Sequence, residues 1–242
     1  MKDNDRKEEL NLQDILDAIA KEDVLSLVIL QHVADELGKQ LAGIINVFNP
    51  EISKSIGVSL PTTTSALNEM MTVGIVKEFG KKETAMGRIP MLYGLKPKAG
   101  YFIGANPEMD SLALSASDFC GNQIVGKTKI PYCYENTPEN LEKLGSIIND
   151  FIDSLPIKKE EILNVCVNVA ERVNPFEGTA YNMFTFTEKP LATEISEMIN
   201  LPVCIENDTR SMTYAEYIKG CSKGMKDIIF VNVCWGLGIG II

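Results

Sequence analysis

Small hydroxyl side chains crowd the segment LPTTTSALNEMM, which begins directly after Ser59. Its i, i+3, i+4, i+7 spacing predicts a helix with an inward stripe of Thr63, Ala66, Leu67 and Met70. The outward side would then present Thr62, Ser65 and Glu69, flanked by Thr64 and Asn68. Small hydroxyls near a helix N-terminus suit a DNA groove, because they bond phosphates and allow close approach. We predict DNA-binding roles for the following side chains: Ser59, Thr62, Thr64, Ser65 and Asn68.

Two short helices are expected to position this face, and the sequence contains a start signal for each. Asn49-Pro50-Glu51 supplies an N-cap, a proline at the first helical position and an acid in the first turn. Gly57 ends this short helix, and Ser59 caps the next one. Two short helices joined by a glycine-containing turn are typical of a helix-turn-helix. An ordinary helical hairpin with a solvated face is the alternative.

The residues that follow predict a β-wing. VGIVKEFG and MLYGLKP are typical of two short strands, and the connection KKETAMGRI carries Lys81, Lys82 and Arg88. A basic wing tip can reach the phosphate backbone or an adjacent minor groove. We therefore add these three cations to the predicted DNA-binding residues. A solubilising hairpin tip is the alternative.

Charge is divided unevenly along the chain. The net charge is −10, yet residues 38–98 hold 8 Lys/Arg and 4 Asp/Glu, whereas residues 1–37 hold 4 and 10. A basic segment within an acidic chain indicates separate roles for the two parts. The total charge therefore does not exclude a nucleic-acid partner, although nucleic acid attracts basic surfaces.

Several classes of protein are disfavoured by composition. No stretch of 18 or more uncharged apolar residues is present, and MKDNDRKEEL lacks the apolar core of a signal peptide, so we expect a cytoplasmic protein without a membrane partner. Six cysteines without a C-x-x-C pair, several in apolar surroundings, predict reduced, buried thiols. Because His32 is the sole histidine, little room remains for histidine-based chemistry, and we predict no metal site and no cofactor.

From Tyr101 onward the pattern predicts an α/β domain. YFIGAN, DSLALSASD and GNQIVGKTKIP resemble a β-meander, and residues 138–155 form an amphipathic helical pattern. After this helix come a strand at ILNVCVNVA, a helix near 190–200, a strand at LPVCIE and a helix at 208–219. The chain closes with two apolar runs, DIIFVNVCW and GLGIGII. Strands first and then alternating helices and strands indicate α/β architecture. We predict three parts: an acidic helix at 1–20, a winged helix-turn-helix at 21–98 and the α/β domain at 99–242.

The stretch PTTTSALNEMMTVGIVKEFGKKETAMGRIPMLYGLKPKAGYFIG resembles the winged helix of ROK-family repressors and its junction with the ROK domain. The S-x-P-T run, the G-I-V and the G-R-x-P of the wing carry this resemblance. Ile89 departs from it, because family members usually have a second arginine there. The family joins sugar kinases and transcription factors built on the same fold. The resemblance implies an actin-like (ribonuclease H-like) ATPase fold after residue 99, incomplete here, with a first lobe and the start of a second.

IENDTRSMTYAE matches the family's N-D-x-x-x-x-x-x-x-E stretch. By resemblance, Asn207 would bind a sugar, and Asp208 occupies the position of the general base that kinases use. An asparagine or aspartate before a helix is also the usual N-cap, so the structural interpretation stays open. We predict Asn207 and Asp208 as sugar-binding residues and no catalytic residue.

The phosphate loop distinguishes kinase from repressor. Where kinases have D-x-G-G-T, this chain has Asn106-Pro107-Glu108-Met109-Asp110, without a glycine and with one backbone donor removed. We therefore predict no kinase activity. ERVN at 171–174 replaces the Pro-Gly turn that is usual in the family. Gly236, Gly238 and Gly240 match the second glycine-rich phosphate turn of the family. This match is a weak signal, because glycines at such turns are commonly structural.

Together these features predict a sugar-responsive, DNA-binding repressor of carbohydrate metabolism genes. Its expected partners are a double-stranded operator, a sugar or sugar phosphate effector, and a second copy in a homodimer or higher oligomer. A ROK-type sugar kinase with a diverged phosphate loop is the alternative, and a DNA-binding protein without an effector is a third. The resemblance also predicts that the chain is truncated at its C-terminal end.

Overall fold

The structure, a computed structural model, describes residue 57 and residues 59–81, 91–222, 225–234 and 236–242. These residues belong to one compact unit, Ile44–Ile242. The acidic helix expected at 1–20 and the first helix of the helix-turn-helix lie outside the described residues. Within them, no helix combines the length and apolar character needed to cross a membrane.

Helix α1 spans Leu60–Val73 and begins where the sequence predicts. Ser59 caps it by accepting a hydrogen bond from the Thr62 backbone N–H at 3.4 Å, and Gly74 ends it at a φ of 84°. Thr63 and Leu67 are buried, but Ala66 is exposed, contrary to the predicted stripe. At 100° per residue, the packed stripe is centred between Thr63 and Met71, which leaves Ala66 at its edge.

A two-stranded antiparallel sheet follows α1, as the wing pattern predicts. Strand β1 spans Val76–Lys81 and β2 spans Met91–Leu95. The register shifts between Glu78 and Gly80, where Gly80 has a φ of 93°. This irregularity is a β-bulge, and glycine suits it because L side chains rarely adopt positive φ.

The described residues that follow β2 form an α/β unit with a mixed sheet. Its elements are β3 (Tyr101–Pro107), β4 (Ser111–Asp118), β5 (Gln123–Pro131), α2 (Pro138–Asp153), β6 (Ile162–Val169), β7 (Val173–Asn174), β8 (Thr179–Ala180), α3 (Leu191–Ile199), β9 (Val203–Asn207), α4 (Asp208–Lys219), β10 (Ile229–Val233) and β11 (Leu237–Ile241). Short 3-10 turns lie at Pro97–Ala99 and Lys159–Glu161. Apart from the β7–β8 hairpin, whose strands are too short for a periodic signal, each helix and strand was predicted from the sequence.

The main sheet has five strands in the order β5-β4-β3-β6-β9. Strands β3, β4 and β5 pair antiparallel as a meander, whereas β6 runs parallel to both β3 and β9. Helices α2 and α3 contribute to a core with one face of this sheet. The core lies where the alternation predicts, because Ile103 and Ala105 of β3 and Val165 and Val167 of β6 are almost fully buried.

On α4, two buried threonines pack against the β10–β11 hairpin through glycines. A Cβ placed on Gly238 would lie 2.9 Å from Thr209 side-chain carbons, and one on Gly240 would lie 2.7 Å from the Thr213 Cβ. The strand approaches the helix this closely because both glycines lack side chains. These two glycines therefore have a packing role within a strand.

The opposite side of the same hairpin is apolar and exposed. Its side chains are 52–78% exposed and comprise Ile229, Val231, Val233, Leu237, Ile239 and Ile241. The hairpin is thus one-sided within the part of the chain that the structure describes, with Gly238 and Gly240 toward α4.

The cysteines depart from the predicted burial. Cys133, Cys221 and Cys234 are exposed, and Cys120, Cys166 and Cys204 are half-buried. The exposed three each follow the end of a helix or strand, where the chain turns toward solvent. All six are free thiols in this structure.

Candidate functional site

The outward face of α1 carries the predicted DNA-binding residues. Thr62, Ser65 and Asn68 are exposed, and we call these three the hydroxyl–amide face. The Ser59 and Thr62 hydroxyl oxygens are 2.8 Å apart, and the Ser65 hydroxyl donates to Glu69 Oε1 at 3.4 Å. The structure therefore places the predicted outward residues on one accessible side of the helix.

Thr64 differs from its neighbours. It is half-buried, and its hydroxyl donates to the Leu60 backbone carbonyl at 2.8 Å. A hydroxyl bonded to the preceding turn is directed along the helix. Thr64 is thus less accessible than the residues of the hydroxyl–amide face.

The wing hairpin carries further groups. Lys81 ends β1, whereas Lys82 and Arg88 lie outside the described residues. On the same strand, the Lys77 ammonium lies 4.4 Å from the centroid of the Phe79 ring, which is 53% exposed. This cation–aromatic pair was not predicted, although i, i+2 spacing places two side chains on the same side of a strand.

The second candidate site lies where β9 meets α4. Asn207 is the N-cap of α4, and its Oδ1 accepts the Arg210 backbone N–H at 2.9 Å. Its Nδ2 donates to the Glu171 backbone carbonyl at 2.9 Å, which ties α4 to the segment after β6. The N-cap interpretation of Asn207 is therefore realised, and the same amide also joins two parts of the chain.

Asp208 is the first residue of α4 and is half-buried. Its Oδ1 accepts the Thr209 backbone N–H at 2.6 Å and the Thr209 hydroxyl at 3.2 Å. Among the described residues, no donor is bonded to its other oxygen, Oδ2. One carboxylate oxygen is fixed, and the other can accept a hydrogen bond from a ligand.

A pocket of about 390 Å³ lies beside this corner. Its lining residues are Arg172, Val173, Asn207, Arg210, Thr213, Tyr214, Ile239, Gly240, Ile241 and Ile242. Asn207 thus reaches the pocket wall, whereas Asp208 does not. Arg210 and Tyr214 were missed from the sequence, although their i+3 and i+7 spacing from Asn207 marks one helix face.

The arginines of the pocket are held by neighbouring groups. Arg210 forms an ion pair with Glu206, which lies four residues earlier on β9, and the Arg172 guanidinium lies 4.7 Å from the centroid of the Tyr181 ring. The Glu171 carboxylate accepts backbone N–H groups of Asn182 and Met183, each at 2.6 Å. The ERVN segment, where the sequence departs from the Pro-Gly turn, is therefore fixed by its own hydrogen bonds.

The turn between β3 and β4 contains a fixed carboxylate. The Glu108 backbone N–H donates to the Ser111 carbonyl at 2.8 Å, and its carboxylate accepts from the Ser111 hydroxyl at 2.9 Å and Asn106 Nδ2 at 3.4 Å. A carboxylate at this turn repels phosphate. Across the described residues, no group of three or more potential metal-binding side chains comes together.

The described residues form an α/β unit that is preceded by a helix and a two-stranded hairpin, and each of these two parts carries one candidate site. The sequence profile of the ROK family matches residues 120–242. The chain belongs to the ROK family.

Individual relatives include repressors and kinases. The chain is 26% identical over 194 residues to the xylose repressor of Bacillus subtilis strain 168, covering 79% of this chain and 50% of that protein. It is 29% identical over 145 residues to the glucokinase of Streptomyces coelicolor, covering 59% and 44%. The chain spans about half the length of these curated relatives.

A solved structure shares the fold. The crystal structure of a ROK family transcriptional regulator, a homologue of the E. coli MLC protein, superposes with a TM-score of 0.68 at 18% identity. The superposition covers 87% of this chain and 55% of that chain. At this identity the likeness shows the fold alone.

Proposed function

We propose that this protein is a sugar-responsive, DNA-binding transcriptional repressor of carbohydrate metabolism genes. The observation that carries the proposal is the accessible hydroxyl–amide face of α1, followed directly by the β1–β2 hairpin and joined to a ROK-family α/β unit. Residues 21–98 form a winged helix-turn-helix in this proposal, and residues 99–242 form part of an actin-like fold. The relative named xylose repressor supports the same function.

DNA recognition divides between the helix and the wing. The small side chains of α1 enter the major groove, and Ser59, with the first backbone N–H groups of the helix, lies near a phosphate. Lys81, Lys82 and Arg88 of the wing contact the phosphate backbone. Two copies bind one operator, as two-fold symmetric operators require.

The effector is a sugar or sugar phosphate that binds at the corner formed by β9 and α4. The Asp208 Oδ2 and the pocket-facing Asn207 offer hydrogen-bonding groups that suit sugar hydroxyls. Because Asn207 also holds the Glu171 carbonyl, occupancy of the corner changes how the segment after β6 is tied to α4. A sugar that favours one arrangement shifts the dimer away from the geometry that fits the operator.

A ROK-type sugar kinase is the second candidate, and the similarity to a glucokinase favours it. The Glu108 carboxylate held in the β3–β4 turn opposes it, because nucleotide phosphates would meet a negative charge there. ATP consumption with a panel of sugars separates the candidates. Turnover that disappears in Asp208→Asn would replace the repressor proposal with the kinase.

Substitutions on the helix and the wing are expected to affect DNA binding differently. Thr62→Ala should weaken binding to the preferred operator by about 1 kcal/mol or more while leaving non-specific binding nearly unchanged. Lys82→Ala should weaken binding to all sequences alike and lower the salt slope by about 1. Fluorescence anisotropy with operator and scrambled duplexes over a range of salt concentrations measures both effects. Salt-independent binding, or none, would overturn the DNA-binding proposal.

The sugar role of Asn207 can be separated from its capping role. Asn207→Ser keeps an N-cap acceptor but removes the amide that donates to the Glu171 carbonyl, so the free energy of unfolding should fall by about 1 kcal/mol. The sugar-induced loss of operator affinity should disappear in this variant. Asn207→Ala loses the cap as well and should cost about 1 kcal/mol more than Asn207→Ser. Operator binding with and without xylose, beside urea unfolding, distinguishes the roles, and an unchanged sugar response in Asn207→Ser would exclude Asn207 from the site.

A further inference from the structure

Two cysteines face each other on adjacent strands of the main sheet. Cys166 of β6 and Cys204 of β9 are register partners in the parallel pair. Neighbouring strands lie about 4.8 Å apart, within the range of about 4.4–6.8 Å that Cα atoms of a disulfide span. The strand pairing therefore places the two Cα atoms within the range that a disulfide spans.

Their side chains project away from the main core. The residues beside them, Val165, Val167 and Ile205, are almost fully buried in that core, whereas both cysteines are half-buried. Because side chains alternate along a strand, the two thiols share the opposite face of the sheet. A small solute can reach this face more readily than the core.

The thiols also contact each other and nearby amides. The Cys204 Sγ lies 3.1 Å from Asn164 Oδ1, and the Cys166 Sγ lies 3.6 Å from Asn168 Oδ1. A hydrogen bond from the Cys166 thiol lowers the pKa of Cys204. The same bond, together with burial, raises the pKa of Cys166. The two thiols therefore interact, and either sulfur of the pair can attack as a thiolate.

We propose that Cys166 and Cys204 form a redox-active thiol pair, which a hydroperoxide converts reversibly into a cross-strand disulfide. One thiolate of the pair attacks the peroxide, the O–O bond breaks, and a sulfenic acid and hydroxide form. The other sulfur of the pair then attacks the sulfenic sulfur and releases water. In total, two thiols and one hydrogen peroxide give one disulfide and two waters. A thiol reductant reverses the step by exchange.

Peptide mapping of the native chain tests the pair directly. The chain is exposed to one equivalent of hydrogen peroxide, remaining thiols are alkylated, and trypsin releases peptides 160–172 and 173–210, each of which holds one cysteine. The expected result is a linked pair of these peptides with the mass of their sum less two hydrogens, in excess of every other cysteine pair. Dithiothreitol before alkylation should restore both free peptides.

Matched variants distinguish the pair from general oxidation. Cys133→Ser removes an exposed thiol and should leave the linked pair unchanged, whereas Cys204→Ser should abolish it and leave Cys166 alkylated. Far-ultraviolet circular dichroism confirms that each variant is folded, and Cys204→Ala replaces Cys204→Ser if it is not. The proposal would be overturned if peroxide oxidised Cys133, Cys221 and Cys234 while Cys166 and Cys204 remained free thiols and were then alkylated. Links spread over all the cysteines would overturn it as well.

Discussion

Gly240→Val is expected to destabilise the protein by about 3 kcal/mol. Gly240 faces α4, and a Cβ added there would lie 2.7 Å from the Thr213 Cβ and 2.9 Å from its Cγ2. Thr213 is only 2% exposed and its hydroxyl donates to the Thr209 carbonyl at 2.6 Å, so it has little room to move. The helix and the hairpin must therefore separate. Urea unfolding followed by circular dichroism measures the loss.

Gly236→Val is the matched control. No atom lies within 4 Å of a Cβ placed on Gly236, so the same substitution should change stability by less than about 0.5 kcal/mol. Gly240→Ala combined with Thr213→Ala should recover part of the loss of Gly240→Ala alone, and a double-mutant cycle gives the coupling. Equal effects at both glycines would contradict the packing role of Gly240.

Asn140→Ala is expected to cost about 3 kcal/mol. Asn140 Oδ1 accepts the Tyr132 hydroxyl at 2.6 Å, and its Nδ2 donates to the Cys133 carbonyl at 2.8 Å. Tyr132 is 2% exposed and Asn140 is 7% exposed. Removing the amide leaves a buried hydroxyl and a carbonyl without partners, and water cannot replace it easily. The free energy of unfolding in urea provides the test.

Asn149→Ala, in the same helix, is the graded control. Asn149 is half-buried and donates one hydrogen bond, to the Met198 carbonyl at 3.2 Å, so its loss should cost about 1 kcal/mol. Adding Tyr132→Phe to Asn140→Ala should recover stability, because no buried hydroxyl then remains.

Burial raises the pKa of Tyr132 above its ordinary value, so the stabilising effect of its proton is complete below about pH 10 and is lost at higher pH. Equal costs for Asn140→Ala and Asn149→Ala would refute the buried network.

Most elements of the α/β unit could be predicted from the sequence. The helix predicted at 208–219 is observed as Asp208–Lys219, because a cap residue follows a buried apolar strand. The strand ILNVCVNVA is observed as Ile162–Val169. The β7–β8 hairpin escaped prediction, because its two-residue strands are stabilised by contacts such as that of Glu171 with Asn182 rather than by local pattern.

The site was predicted less completely. Asn207 was predicted through a motif and lines the pocket, but the pocket residues Arg172 and Tyr214 come from different elements, and no local pattern joins them. The glycines of GLGIGII illustrate the same limit. Their spacing matches a phosphate-binding turn, whereas packing against Thr209 and Thr213 depends on which helix lies beside the strand.

By itself, the sequence determined the order of helices and strands after Ser59 and the cap residues that start α1 and α4. Its wing and N-D motifs also indicated membership of the ROK family. These properties depend on residues close together in the chain, and hydrophobic periodicity and capping are local. Only the tertiary structure decided that Cys166 meets Cys204, that Asn207 ties Glu171 to α4, and that Gly240 accommodates Thr213. Each of these contacts joins residues at least 27 positions apart, and strand register and helix packing bring such residues together only when the whole unit folds.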